Sequence, residues 1–190
     1  MLLVLVKWPI TGRLEFYILP GYTRHQFTIM AIYFIDFEAF QYKDEAFVIK
    51  ELCVLNVDRP LLPLYFMFGP VEPWHMLSTS ARKQYRYQSK HIHGLEWSEG
   101  VSRYCRSCVL HHIKLAFPLC MAGIFYVMGK EKTEFLTGEF PDLNFVEYNI
   151  TFNNLPLLPS NLVCYHREHG EHCAYRKCLR LCHHYVTLPF

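Results

Sequence analysis

AIYFIDFEAF, residues 31–40, is an apolar run interrupted only by Asp36 and Glu38. Aromatic and β-branched residues dominate it and polar, turn-forming residues follow it, so it reads as a central strand. Side chains alternate along a strand, which puts Asp36 and Glu38 on one face. Two carboxylates side by side on a mostly buried support repel each other and are costly to bury unless a cation joins them. A hard divalent ion bound through oxygen is a common solution. The pair is therefore a candidate Mg²⁺ or Mn²⁺ site; the alternative is an edge strand carrying two hydrated acids.

Outward from this strand, Gln41–Glu45 is a turn, and Ala46–Val57 is apolar again with Lys50 and Glu51 embedded, as expected of a hairpin partner. Asp58-Arg59-Pro60 turns the chain into a third short strand, Leu64–Phe68, stopped by Gly69-Pro70. Three strands joined by short turns predict an antiparallel meander. Val101, Tyr104, Cys105, Cys108 and His112 recur at helical spacing, which predicts an amphipathic helix over Val101–Leu115. Met121–Met128 reads as a fourth strand, Lys130–Leu136 as a short helix, Phe145–Tyr148 as a fifth strand, Asn153–Asn161 as a loop, and Glu171–Val186 as a final helix. This order is a mixed α/β domain.

A chain of 190 residues suits one domain with a real core, and 52% hydrophobic against 19% charged residues excludes a disordered chain. The net charge of +2 does not announce a nucleic-acid binder, so any such surface must be local. The local candidate is Ser78–Lys90, where Arg82, Lys83, Arg86 and Lys90 interleave with Tyr85 and Tyr87, a pattern able to hold a phosphate backbone and stack a base. A solvated helix is its plain alternative. Downstream, His93 and Trp97 of HIHGLEW are further candidate nucleotide contacts, against a reading as buried Trp and capping His.

Leu2–Val6 is too short for a signal-peptide core or a membrane span, so no membrane anchor is expected. Residues 1–29 lack a clear period. Met30 precedes the central strand, and the functional domain is expected to occupy residues 30–190, with 1–29 an appendage or an added strand. Eight Cys suggest disulfides at first sight, but four lie from Cys164 to Cys182, interleaved with and followed by five His, which favours metal and a reducing, intracellular setting, cytoplasm or nucleus.

Thiolate and imidazole fill a tetrahedral Zn²⁺ shell and a carboxylate can complete it. Cys164 and His166 can bite one ion from an extended segment, with Cys173 returning at the start of the last helix. Four protein ligands leave no water to activate, so such a zinc is structural. Cys105-x2-Cys108 has zinc-like spacing too, but on the expected helix both fall on the apolar stripe and read as core packing.

The acid pair Asp36-x-Glu38, the meander, and His166 ahead of a final helix resemble the ribonuclease-H-like fold of the DEDD exonucleases. That resemblance implies a mixed five-stranded sheet flanked by helices and phosphodiester hydrolysis by two divalent metals. It implies catalytic acids at Asp36 and Glu38, at Glu131 or Glu134, and at Glu171, where the family has Asp, with His166 as base. Within the same superfamily, Glu51 in IKEL and Cys164-x-His166-x6-Cys173-Ala174 resemble the Maelstrom domain of the piRNA pathway. Maelstrom domains lack most DEDD acids and hold a zinc ion. The resemblance implies zinc ligands Glu51, Cys164, His166 and Cys173, single-stranded RNA or DNA as ligand, and protein partners of a gene-silencing pathway. His166 cannot be both zinc ligand and free base; if His169 ligates instead, His166 is released. A non-catalytic scaffold is the remaining expectation.

Overall fold

The computed structural model describes residues 31–43, 47–100, 102–158 and 173–188, together with the backbone of residues 2–7 and 14–19. Strands β1 (Leu2–Lys7) and β2 (Leu14–Leu19) pair antiparallel as a two-stranded sheet of their own. The main sheet contains β3 (Ile32–Phe40), β4 (Val48–Asn56), β5 (Leu64–Met67), β6 (Ile124–Val127) and β7 (Asn144–Glu147). Four helices flank it: α1 (Thr79–Gln88), α2 (Arg106–Ala116), α3 (Lys130–Glu139) and α4 (Ala174–Thr187).

The order across the sheet is β5-β4-β3-β6-β7. β4 runs antiparallel to β3 and β5, and β6 and β7 run parallel to β3. The expected α/β class holds, with a mixed open sheet in an arrangement consistent with the ribonuclease-H-like one. The physical reason is visible in β3. It is covered on both faces, so its sequence is continuously apolar rather than alternating.

On one face Tyr33, Ile35 and Phe37 pack with Val109 and Ile113 of α2 and Leu136 of α3. On the other, Phe34, Cys53 and Leu55 pack with Cys178, Leu181 and Cys182 of α4. Asp36, Glu38 and Glu51 belong to this second face, beneath α4, which packs directly against β3 and β4. A third cluster joins Phe40, Leu77, Ala81, Tyr85 and Trp97 at the carboxyl end of β3.

The ladder between β3 and β4 shifts register between Glu38 and Ala39. Glu38 faces Glu51 and Ala39 faces Ile49, which leaves Lys50 as the extra residue of a β-bulge. Past β5 the chain returns along the sheet edge through a parallel bridge between Phe68 and Ser102. Gly100 makes that approach possible: its φ is +94°, and a Cβ there would stand 2.2 Å from the Phe68 carbonyl carbon.

The basic stretch forms a helix, α1, capped by the Ser78 hydroxyl accepting from the Ala81 amide at 3.1 Å. One expectation changes: the helix expected from Val101 starts only at Arg106, so its buried stripe is Val109 and Ile113. Cys108 is exposed and Cys105 half-buried ahead of the first turn, and neither packs in the core. Among the described residues no helix is long and apolar enough to cross a membrane.

Candidate functional site

Asp36 and Glu38 are 0% and 5% exposed, and the charge that makes this tolerable comes from two lysines. Lys132, in the first turn of α3, places Nζ 2.6 Å from Asp36 Oδ1 and donates also to the Phe37 carbonyl at 2.5 Å. Lys177, one turn into α4, donates to Glu38 Oε1 and lies 3.9 Å from Asp36 Oδ2. Burial alone would lower the Lys177 ammonium, but the negative charges of Asp36, Glu38 and Glu51 and its bond to Glu38 leave it raised above its ordinary 10.5.

The α3 side chain that reaches the acids is thus Lys132, and its neighbours turn away. Glu134 is exposed and pairs with Lys130 at 3.7 Å, and Glu131 accepts from Gln41 Nε2 at 3.2 Å. The α4 side chain that reaches them is Lys177. Among the described residues, the side chains that α3 and α4 bring to the acid pair are thus ammonium groups. Glu171 lies outside the described residues.

One strand over, Glu51 is fully buried. Its Oε1 accepts from the Tyr65 hydroxyl at 2.8 Å, the Cys173 thiol at 3.1 Å and the Ala174 amide at 3.1 Å, the last at the start of α4. Two of the four expected zinc ligands, 122 positions apart in the chain, therefore meet. A carboxylate oxygen and a thiol sulfur are compatible donors for Zn²⁺, and both are held by neighbours that fix their orientation. Cys164, His166 and His169 lie outside the described residues.

The candidate nucleic-acid face is α1 with the loop that follows it. Ala81 and Tyr85 turn inward, leaving Arg82 half-buried and Lys83 and Arg86 exposed. The Gln84 and Gln88 amides donate to the Gln41 carbonyl at 2.9 and 2.7 Å, which ties α1 to the end of β3, three residues past Glu38. Beyond Gln88 the helix widens over Ser89–His93 and closes when the Gly94 amide donates to the Ser89 carbonyl at 2.9 Å.

Between the widened turn and α1 lies a cleft of about 690 Å³, lined by Trp74, Tyr85, Arg86, Lys90, Glu96 and Trp97 among others. The Arg86 guanidinium lies 5.4 Å from the Trp74 ring centroid, and Tyr85 and Trp97 stack 4.9 Å apart. Trp97 is 5% exposed and donates from Nε1 to the Glu72 carbonyl at 3.0 Å, so it forms the floor. His93 is buried, edge-on to Phe40, with Nδ1 accepting from the Leu95 amide at 3.1 Å. Trp74, which sequence reasoning passed over, forms part of the wall, and its single aromatic ring before a polar helix gave no periodic signal.

Lys50 was also missed. The bulge aims its buried side chain beneath this region, where Nζ donates to the Trp97 and Glu99 carbonyls at 2.8 and 2.6 Å. Burial, only partly opposed by the charge of Glu99, lowers its ammonium to about 8. No family model and no curated protein sequence matches the chain.

Proposed function

We propose that this chain is a Maelstrom-type domain that binds single-stranded nucleic acid, RNA foremost, over α1 and the Trp74 cleft, and does not hydrolyse it. The observation that carries this reading is the pair of lysines on Asp36 and Glu38. Two-metal hydrolysis needs a cluster of acids open to two divalent cations. Here two ammonium groups already neutralise the pair, so an entering cation would have to displace the buried Lys177 and the half-buried Lys132 against like charge. The residues do not fit Mg²⁺ or Mn²⁺.

Zinc fits better. Glu51 and Cys173 would hold it together with Cys164 and His166, and the ion would supply a structural clip between β4 and the start of α4. On α1, Arg82, Lys83 and Arg86 would neutralise phosphates while Trp74 offers a π-face beside the Arg86 guanidinium. Protein partners in a silencing pathway belong to the same reading.

Fluorescence anisotropy with labelled single-stranded RNA and DNA, in Mg²⁺ and at several salt concentrations, tests it. Removing all three charges in R82A/K83A/R86A should weaken binding at least tenfold and cut the salt slope by about 2, since each phosphate contact on a single strand contributes about 0.7. Unchanged binding would leave α1 a solvated helix and the chain a scaffold. Mg²⁺-dependent cleavage lost in D36N/E38Q would overturn the non-catalytic reading in favour of a DEDD-type exonuclease. Elemental analysis of the same preparation should find about one zinc per chain.

A further inference from the structure

We propose that Cys105 and Cys108 form a redox-active dithiol that closes to an intramolecular disulfide by exchange with low-molecular-weight disulfides of the glutathione class. The two thiols stand at the start of α2, with Cys105 as the cap and Cys108 in the first turn. The Cys108 thiol donates to Cys105 Sγ at 2.6 Å, about half an ångström beyond the ~2.05 Å of a formed bond. The Ser107 hydroxyl lies 3.3 Å from the same sulfur. Cys108 is exposed and Cys105 half-buried, so a small disulfide can reach them, whereas Cys53, Cys120, Cys173, Cys178 and Cys182 are buried.

The electrostatics divide the cysteines the same way. Burial raises the thiols of Cys53, Cys120, Cys178 and Cys182. Cys105 moves in the opposite direction, from 9.0 to about 7, through the Cys108 thiol first and then the Ser107 hydroxyl and the backbone amides of the first turn. That makes Cys105 the attacking sulfur and Cys108, whose thiol is raised by its bond to Cys105, the resolving one. At pH 7 the thiolate fraction of Cys105 is then roughly fifty times that of an unperturbed thiol. The lower intrinsic nucleophilicity of an acidic thiolate takes back about eightfold, leaving a net gain of about sixfold in rate.

The reaction balances without a further reagent. The Cys105 thiolate attacks one sulfur of RSSR, the S–S bond breaks, and RS⁻ leaves with a mixed disulfide on Cys105. Cys108 loses its proton and its sulfur attacks Cys105 Sγ, expelling the second RS⁻. The two protein thiols are oxidised by two electrons, and RSSR is reduced to two RSH once the thiolates take up protons.

The test uses the full chain in glutathione buffers of increasing oxidised fraction, followed by differential alkylation and peptide mass spectrometry. The Cys105–Cys108 disulfide should form first and revert on adding reduced glutathione. Cys108→Ser should accumulate a stable glutathione adduct at Cys105, and in the unaltered, reduced chain a brief alkylation pulse at pH 7 should label Cys105 several times faster than Cys108. Both side chains lie outside the core, and unchanged circular dichroism confirms that the variant folds. Equal labelling of the two thiols in that pulse, an adduct on Cys105 with no disulfide in the unaltered chain, or protection of both thiols by added zinc would each overturn the proposal.

Discussion

Replacing Lys177 by Met removes one of the two cations from a site where Asp36 is 0% and Glu38 5% exposed, while keeping the aliphatic stem that packs under α4. Breaking a buried ion pair from one side costs about 3–5 kcal/mol. One feature of the site puts the value at the lower end. Lys132 remains 2.6 Å from Asp36, so only Glu38 loses its partner. The expected loss is therefore about 3 kcal/mol at pH 7. Urea titrations followed by tryptophan fluorescence measure it; with a slope of about 2–3 kcal/mol per molar, the midpoint should fall by about 1–1.5 M. Adding Glu38→Gln to the variant should recover 2 kcal/mol or more, because the stranded charge is then gone. A loss under about 1 kcal/mol at pH 7, or no recovery on adding Glu38→Gln, would refute the claim that Lys177 neutralises the acid pair.

Gly100→Ala should destabilise the chain by about 2–4 kcal/mol, measured by the same titrations, since a positive φ and a Cβ 2.2 Å from the Phe68 backbone leave no room for adjustment. Carbon-13 NMR of the lysine side chains should show the Lys50 ammonium titrating near pH 8. Because that folded-state value lies below the unfolded one, the stability linked to Lys50 rises as pH climbs from about 8 to 10.5. Lys177 behaves oppositely: its raised value gives stability that is complete below 10.5 and is lost as pH rises through the folded-state value. Arg180→Ala should cost about 3 kcal/mol and speed amide exchange over residues 152–158, since its guanidinium donates to the Phe152, Leu155 and Pro156 carbonyls at 3.1, 2.8 and 2.9 Å. Arg180→Lys should recover less than half, for want of the fork.

The strands of the main sheet were legible because each is a short apolar run between turn residues. The run at residues 31–40 contains β3, and the expected second strand brackets Val48–Asn56. Shared orientation of Asp36 and Glu38 followed from strand alternation alone. What neutralises them did not follow, because Lys132 and Lys177 lie 96 and 139 positions away and look in sequence like ordinary helix lysines. The bulge at Lys50 was equally invisible, since an extra residue shows only against its partner strand. The expected helix from Val101 failed at its start, where helical spacing of Cys105 and Cys108 mimicked a stripe that begins at Val109. Pairing of Glu51 with Cys173 was anticipated only through the Maelstrom resemblance, and no periodicity in the chain implied it.

The distance between the acids and their cations also has a meaning in time. At about 5–20 residues per second, Lys177 leaves the ribosome roughly 7–28 s after Glu38, and Lys132 some 5–19 s after Asp36. Throughout that interval the meander can form its ladders, and α2 and α3 can cover the Tyr33, Ile35 and Phe37 face. The face carrying Asp36 and Glu38 must stay wet until α4 is made. A chain truncated after residue 160 should accordingly leave the face carrying Asp36 and Glu38 open to solvent, with faster amide exchange along β3 and β4 than in the full chain, and the last fourteen-residue helix closes the sheet only after synthesis has passed it.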